Sequence, residues 1–281
     1  MPSRFVRPLC LFRALAAASA MIAFTIPTVQ AAGSECSTRG ADIIRQAYPD
    51  AQPVSKRKFR IGDETILLPT DVGNHPHELI CKRWPARPEL MLVAAPLMTS
   101  QSDDGNTGDV ELLVLESDSL KLKQRLRLPG LLTDDAFFVS RVALDTAYYR
   151  LSVSDLAFGL RIERRGSSGP NPFGETTLWL FVINDGALRP VLDNIVVAGH
   201  QGEWDTNCTG QFQSIERTLA MGYSSPNSYS DIMITETKTN TISTVGRDGG
   251  CLNKETKAQT VRHLSSRGFV YQVPADLKRI E

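Results

Sequence analysis

The residues best placed to do chemistry are Gly202-Glu203-Trp204-Asp205-Thr206-Asn207-Cys208. An aromatic ring flanked by two carboxylates and an amide, beside a cysteine, is the set that small-ligand and glycan sites use. The ring covers apolar faces, and the oxygens and amide answer hydroxyls. His200 stands just upstream, and with Glu203 and Asp205 it offers a hydrolase its acid and base groups. Trp84, in the stiff stretch Trp84-Pro85-Ala86-Arg87-Pro88 next to Cys81, is the second candidate ligand-binding aromatic. The structural alternative for both is a tryptophan capping the core beside a disulfide.

Other constellations carry less. His75 and His77 in His75-Pro76-His77-Glu78 could offer two imidazoles to a metal, with Glu78 or a distant His200 or His263 completing the set, but none of these stands at a recognised spacing, so a polar turn is expected. Asp103-Asp104-Gly105-Asn106-Thr107-Gly108-Asp109 places oxygen ligands at alternate positions ahead of the apolar run Val110 to Leu115. Over about a dozen residues this loop resembles the calcium loops of integrin-type propeller repeats, and the resemblance implies a Ca²⁺ site. It occurs once, whereas those repeats come in series, and a solvated turn is the reading adopted. Lys121, Lys123, Arg125 and Arg127 line one face of a strand, where they meet an anionic surface or pair with Glu111 and Glu116; charge pairing is expected. Thr235, Thr237, Thr239 and Thr241 would form a hydroxyl row unless Asn240 turns the chain first. There is no Gly-x-Ser-x-Gly elbow, no His-Glu-x-x-His and no phosphate-cradling glycine loop. No catalytic residue, metal or cofactor is assigned.

These groups need a scaffold, and the patterning supplies strands. One short helix is expected at the start, capped by Ser37 or Thr38, with Ile43, Ile44 and Ala47 on one face and Tyr48-Pro49 as its end. Leu120 to Leu128 alternates leucine with basic or polar residues, the period of a half-buried strand. Asp118-Ser119 joins it to Val110–Leu115 as a hairpin. Thr176 to Asn184 is apolar on both faces, as a central strand is, and Asp185-Gly186 turns it into Ala187 to Leu192. Pro190 marks that return strand as an edge or bulged one. Further strands are expected at 89–95, 141–145, 148–153, 156–164, 212–221, 231–237, 260–265 and 269–273. The fold expected is all-β, mainly an antiparallel sandwich, barrel or partial propeller, with a short N-terminal helix. Two long connections, 165–176 and 199–210, are expected as loops forming the contact surface.

The N-terminus bounds the setting. Arg4, Arg7 and Arg13 precede an apolar run from Ala14 to Ile26, then Pro27 and Val29-Gln30-Ala31. Positive, apolar, then small-x-small is the pattern of a cleavable signal peptide, and the apolar core is too short for a stable membrane anchor. Residues 1–31 are therefore expected to be removed, leaving 32–281 as a single mainly-β domain. Cleavage takes away Cys10, three of the 31 basic residues and none of the 31 acidic ones, for a net charge of −3. A chain of that charge outside the cytoplasm has no footprint for nucleic acid. Cys36, Cys81, Cys208 and Cys251 remain, an even number suited to disulfides in an oxidising compartment. Three pairings are possible, and the grouping along the chain favours Cys36–Cys81 and Cys208–Cys251. The sequence thus points to an exported, periplasmic or secreted binding protein without catalysis, whose partner is an envelope protein or glycan. A cell-envelope hydrolase and an envelope assembly factor are the alternatives.

Overall fold

A computed structural model describes residues 33–70, 75–223 and 228–279; the expected signal peptide lies outside them. Two seven-stranded antiparallel sheets face each other, and neither closes on itself, so the architecture is the sandwich.

The first sheet is built from β1 (Gln52–Pro53), β2 (Lys58–Ile61), β3 (Glu64–Leu67), β4 (Ile80–Trp84), β5 (Arg87–Ser102), β6 (Gly105–Glu116) and β7 (Leu122–Leu128). Its spine is β5, a 16-residue strand. It pairs β6 along one edge; on the other, β4 takes the first half and β3 touches the second at Met98. The second sheet is a meander in chain order: β8 (Phe138–Arg150), β9 (Leu156–Arg165), β10 (Phe173–Asn184), β11 (Ala187–Trp204), β12 (Gly210–Met221), β13 (Ile232–Val245) and β14 (Cys251–Leu264). A two-stranded piece, β15 (Ser266–Arg267) with β16 (Val270–Tyr271), and a short 3₁₀ turn at Ala275–Leu277 follow.

Three apolar cores bind the layers. Between the sheets, Leu92, Val110, Leu112 and Val114 meet Val142, Phe158, Leu160, Ile162 and Phe181. Helix α1 (Gly33–Ala47) lays Ile43, Ile44 and Ala47 on the outer face of the first sheet, against Ile66, Met91, Val93 and Leu113. On the second sheet's other face, Leu178, Leu180, Val182 and Ile195 pack on Tyr271, Val273 and Leu277. Strands covered on both sides need apolar residues at every position, which is why Leu178 to Ile183 lacks polar alternation.

The helix begins at Gly33, one turn earlier than expected. Ser37 and Thr38 fall inside it, because Glu35 favours the first turn and Cys36 is tied to Cys81. The positive strand behaves as charge pairing requires. Arg127 bonds Asp109 at 2.6 Å and Glu64, Lys123 meets Glu116 at 3.0 Å, and Arg125 reaches Glu111 at 3.2 Å. Arg125 also donates to Ala47 O at 3.0 Å, capping the C-terminal end of α1. Pro190 sits at a register shift opposite Phe181, in the half of β11 that β12 does not reach, so the strand is bulged there. The expected separate strands 141–145 and 148–153 are one strand, β8, with an irregularity between Asp145 and Tyr149.

That irregularity is held by charge. Asp145 accepts from Ala147 N (2.9 Å), Tyr149 Oη (2.8 Å) and Arg161 Nε (2.6 Å). Burial pushes its carboxyl up, but these donors more than offset that and hold it below the usual range. A depressed folded value stabilises the fold above the unfolded pKa and loses that stabilisation as pH falls through the folded one. Asp145→Ala is expected to cost about 2–3 kcal/mol at neutral pH. In urea titrations across pH, its deficit against the parent should shrink below about pH 4.

Candidate ligand groove

The segment 199–210, expected as a loop, is mostly strand. Gly199 to Trp204 complete β11 and pair β12 in unbroken register from Ala198↔Glu216 to Trp204↔Gly210. The glycine-rich stretch 166–172 stays irregular but lies against the end of β11. Gly202 N donates to Pro172 O and Trp204 N to Pro170 O, both at 3.0 Å. Residues 173–176 belong to β10. Prolines accept such bonds without donating, and this lets an irregular segment finish a sheet edge.

Strand periodicity sorts the candidate residues. Side chains alternate across β11, so His200, Gly202 and Trp204 point to one face and Gly199, Gln201 and Glu203 to the other. Glu203 and Trp204 are therefore not brought together, and neither are Glu203 and His200. Trp204 packs edge-on against Phe212, with centroids 6.1 Å apart, and its Nε1 donates to Gly169 O at 2.8 Å. It clamps the glycine-rich segment to the sheet. The His200 ring lies over Gly174, where an added Cβ would come within 2.2 Å of His200 Cε1.

Asp205 is consumed by the turn between β11 and β12. Its Oδ1 accepts from Asn207 N and Thr209 N, both at 2.9 Å, while Thr206 takes a positive φ of 61°. The Asn207 N–H, aided by that of Thr209, holds the exposed carboxyl below its usual range. Asn207 itself is an exposed turn residue. Trp84 is 1 % exposed and stands in the core between the sheets, 5.5 Å from Phe158. It offers no surface to a ligand.

What the sheet assembles instead is a groove. Cα partners run Phe173↔Gln201↔Gln213↔Asn240↔Thr256 across five strands, and beside them Glu203↔Gln211↔Ile242↔Lys254. Directly opposed residues share a face, so Gln201, Gln211, Gln213, Asn240 and Glu203 converge on one side. Phe137 and Phe173, stacked with centroids 3.9 Å apart, form a wall beside Pro172. The concavity so lined measures about 640 Å³. Gln213 Nε2 donates to Asn240 Oδ1 at 3.1 Å and fixes both amides.

A smaller cavity of about 260 Å³ adjoins it, lined by Glu175, Gln213, Arg217 and the C-terminal Asp276 and Lys278. Burial pushes the Glu175 carboxyl above its usual range, although Arg279 Nε stands 2.8 Å away. Arg217 is bound to Glu236 at 2.8 Å and to Val196 O at 2.6 Å, so it acts as a strut for the floor.

The amides escape a search for motifs, yet a signal exists. In Gln201-Gly202-Glu203 and Gln211-Phe212-Gln213 polar groups recur every second residue, which two paired strands convert into one polar face. The threonine row is real but faces the other way: β13 runs straight through Asn240, and Thr239 pairs Ser214, itself the partner of His200. The chemistry available in the groove is hydrogen bonding by neutral amides beside an aromatic wall, with one carboxylate at its edge. Comparison with protein-family models, curated proteins and solved structures found no match for this chain.

Proposed function

We propose that this chain is an exported, non-catalytic binding protein whose groove takes a polyhydroxylated ligand, an envelope glycan. One observation carries the reading: four side-chain amides and a carboxylate converge on one sheet face against stacked aromatic rings. Each amide offers a donor and an acceptor side by side, the pattern that adjacent sugar hydroxyls answer. The phenylalanine wall covers the C–H faces of a pyranose ring. Two disulfides are compatible with an oxidising compartment, and the N-terminal pattern of residues 1–31 supports export there.

Calorimetric titration with cell-wall and envelope oligosaccharide fragments tests this. Gln201→Ala and Gln213→Ala are each expected to weaken binding about three- to tenfold without moving the unfolding midpoint. Undiminished affinity in both variants, or turnover of the fragment by the parent protein, would overturn the reading.

A further inference from the structure

The second sheet ends on β14, whose outer edge pairs with no strand among the described residues. Every side chain from Cys251 to His263 is exposed, so neither face of this strand is covered. It is 14 residues long, contains no proline, and pairs β13 without a single register shift. Folded proteins ordinarily blunt such an edge with a bulge, a proline, a short length or a cover, because its free N–H and C=O groups template another strand. None of those devices is present among the described residues. Charge is the remaining deterrent: Lys254 and Lys257 flank Glu255, which meets Lys257 at 3.9 Å, and Arg262 is taken up by Asp276.

We infer that β14 is a self-association edge: two copies of this chain pair their β14 strands antiparallel about a two-fold axis through Thr256, joining their grooves into one bivalent face. Charge selects the register. With Thr256 opposite the partner's Thr256, Glu255 stands opposite the partner's Lys257 and Lys257 opposite the partner's Glu255. Asn253 then faces the partner's Gln259, and Leu252 the partner's Thr260. Sliding by one step either way while keeping the same faces up puts Lys257 against the partner's Lys257, or Glu255 against the partner's Glu255. Like charges directly opposed are destabilising. A register centred between Lys254 and Glu255 also opposes unlike charges, but it pairs a shorter run and turns the copies face to back. A two-fold pairing closes after two copies, whereas a head-to-tail contact would propagate.

The groove gives this axis a consequence, and that part rests on the glycan reading above. Thr256 is the Cα partner of Asn240, in the same row as Gln213 and Gln201. The axis stands perpendicular to the sheet, so both grooves open on one side. Five strand spacings separate Gln213 from the partner's Gln213, about 24 Å. Two sites at fixed separation suit a repeating polymer chain, which would gain by bridging them.

Sedimentation equilibrium of the disulfide-bonded protein over a concentration series tests the edge. The parent is expected to dimerise. Glu255→Lys and Lys257→Glu should each raise the dimer dissociation constant about tenfold, since two attractive pairs become repulsive. The double variant Glu255→Lys/Lys257→Glu should restore dimerisation. Circular dichroism checks that these exposed changes leave the fold intact. A parent that stays monomeric at every concentration, or a double variant that does not recover, would overturn the inference. A monomeric parent that captures a foreign extended peptide along β14 would overturn it too. Binding of a short oligosaccharide should be equal in the parent and the Glu255→Lys variant, whereas binding of the polymer should weaken in the variant. Should the parent dimerise and bind no glycan, the glycan reading fails while self-association stands.

Discussion

Trp84→Ala is expected to lower the stability of the fold by about 3–5 kcal/mol, read as a drop in the denaturant midpoint at unchanged slope. The ring is 1 % exposed, meets Phe158 edge-on, and lies in the apolar layer that holds the two sheets together. Removing it withdraws one of the largest apolar surfaces of that layer and leaves a void that stiff β-strands cannot collapse into. The indole N–H finds no acceptor among the described residues, so a hydrogen bond contributes nothing to the loss. Trp84→Phe separates the two contributions, because it keeps an aromatic ring and gives up only the unpartnered N–H and part of the volume. Its expected cost is about 1–2 kcal/mol. A phenylalanine variant as unstable as the alanine one would show that packing volume is not what Trp84 supplies.

Replacing Cys36 and Cys81 by serine is expected to cost about 3–4 kcal/mol. The bridge closes a loop with a sequence separation of 45 and joins α1 to β4, and both cysteines are buried. Its loss lets the helix dissociate from the outer face of the first sheet, exposing Ile66, Met91 and Leu113 to water. Cys208–Cys251 closes a loop of similar separation, 43. By chain entropy alone the two should matter equally. They join different places, however: Cys208 lies in the turn after β11, and Cys251 opens the exposed strand β14. Without that bridge the ends of β12 to β14 can fray while the sandwich persists, so the global cost should be smaller and the change should appear as faster amide exchange there. Equal global losses from the two pairs would contradict this division.

Sequence patterning read the core-bound strands well. The hairpin of β6 and β7, the turn at Asp185-Gly186 and both disulfides follow from alternation, turn residues and cysteine spacing. It faltered where the sheet leaves the core. β14 carries polar residues at most positions, because both of its faces are exposed, and such a strand shows no apolar period; β13 beyond Thr237 is polar and half-buried, with threonine rather than apolar residues marking its alternation. Glycines at 199, 202 and 210 made the end of β11 look like a loop. Two of them are there because the sheet leaves no room for a Cβ: at Gly202 one would meet Phe212 Cδ1 at 2.3 Å, and at Gly210 it would meet Trp204 Cβ at 2.3 Å. The candidate residues of this segment divide between two faces for a related reason. Glu203 and Trp204 are adjacent in the chain, and adjacency on a strand means opposite faces.

The unbroken order of the second sheet sets how it comes together in time. Each strand from β8 to β14 pairs its immediate neighbours in the chain, so every new hairpin closes a short loop and presents a fresh edge to the next segment. Growth of that kind is a zipper with little entropy to overcome at each step. The first sheet is assembled otherwise, since β3 reaches β5 across the intervening β4. The meander is therefore expected to gain amide protection first in pulse-labelled refolding, with β3 and β5 of the first sheet protected later.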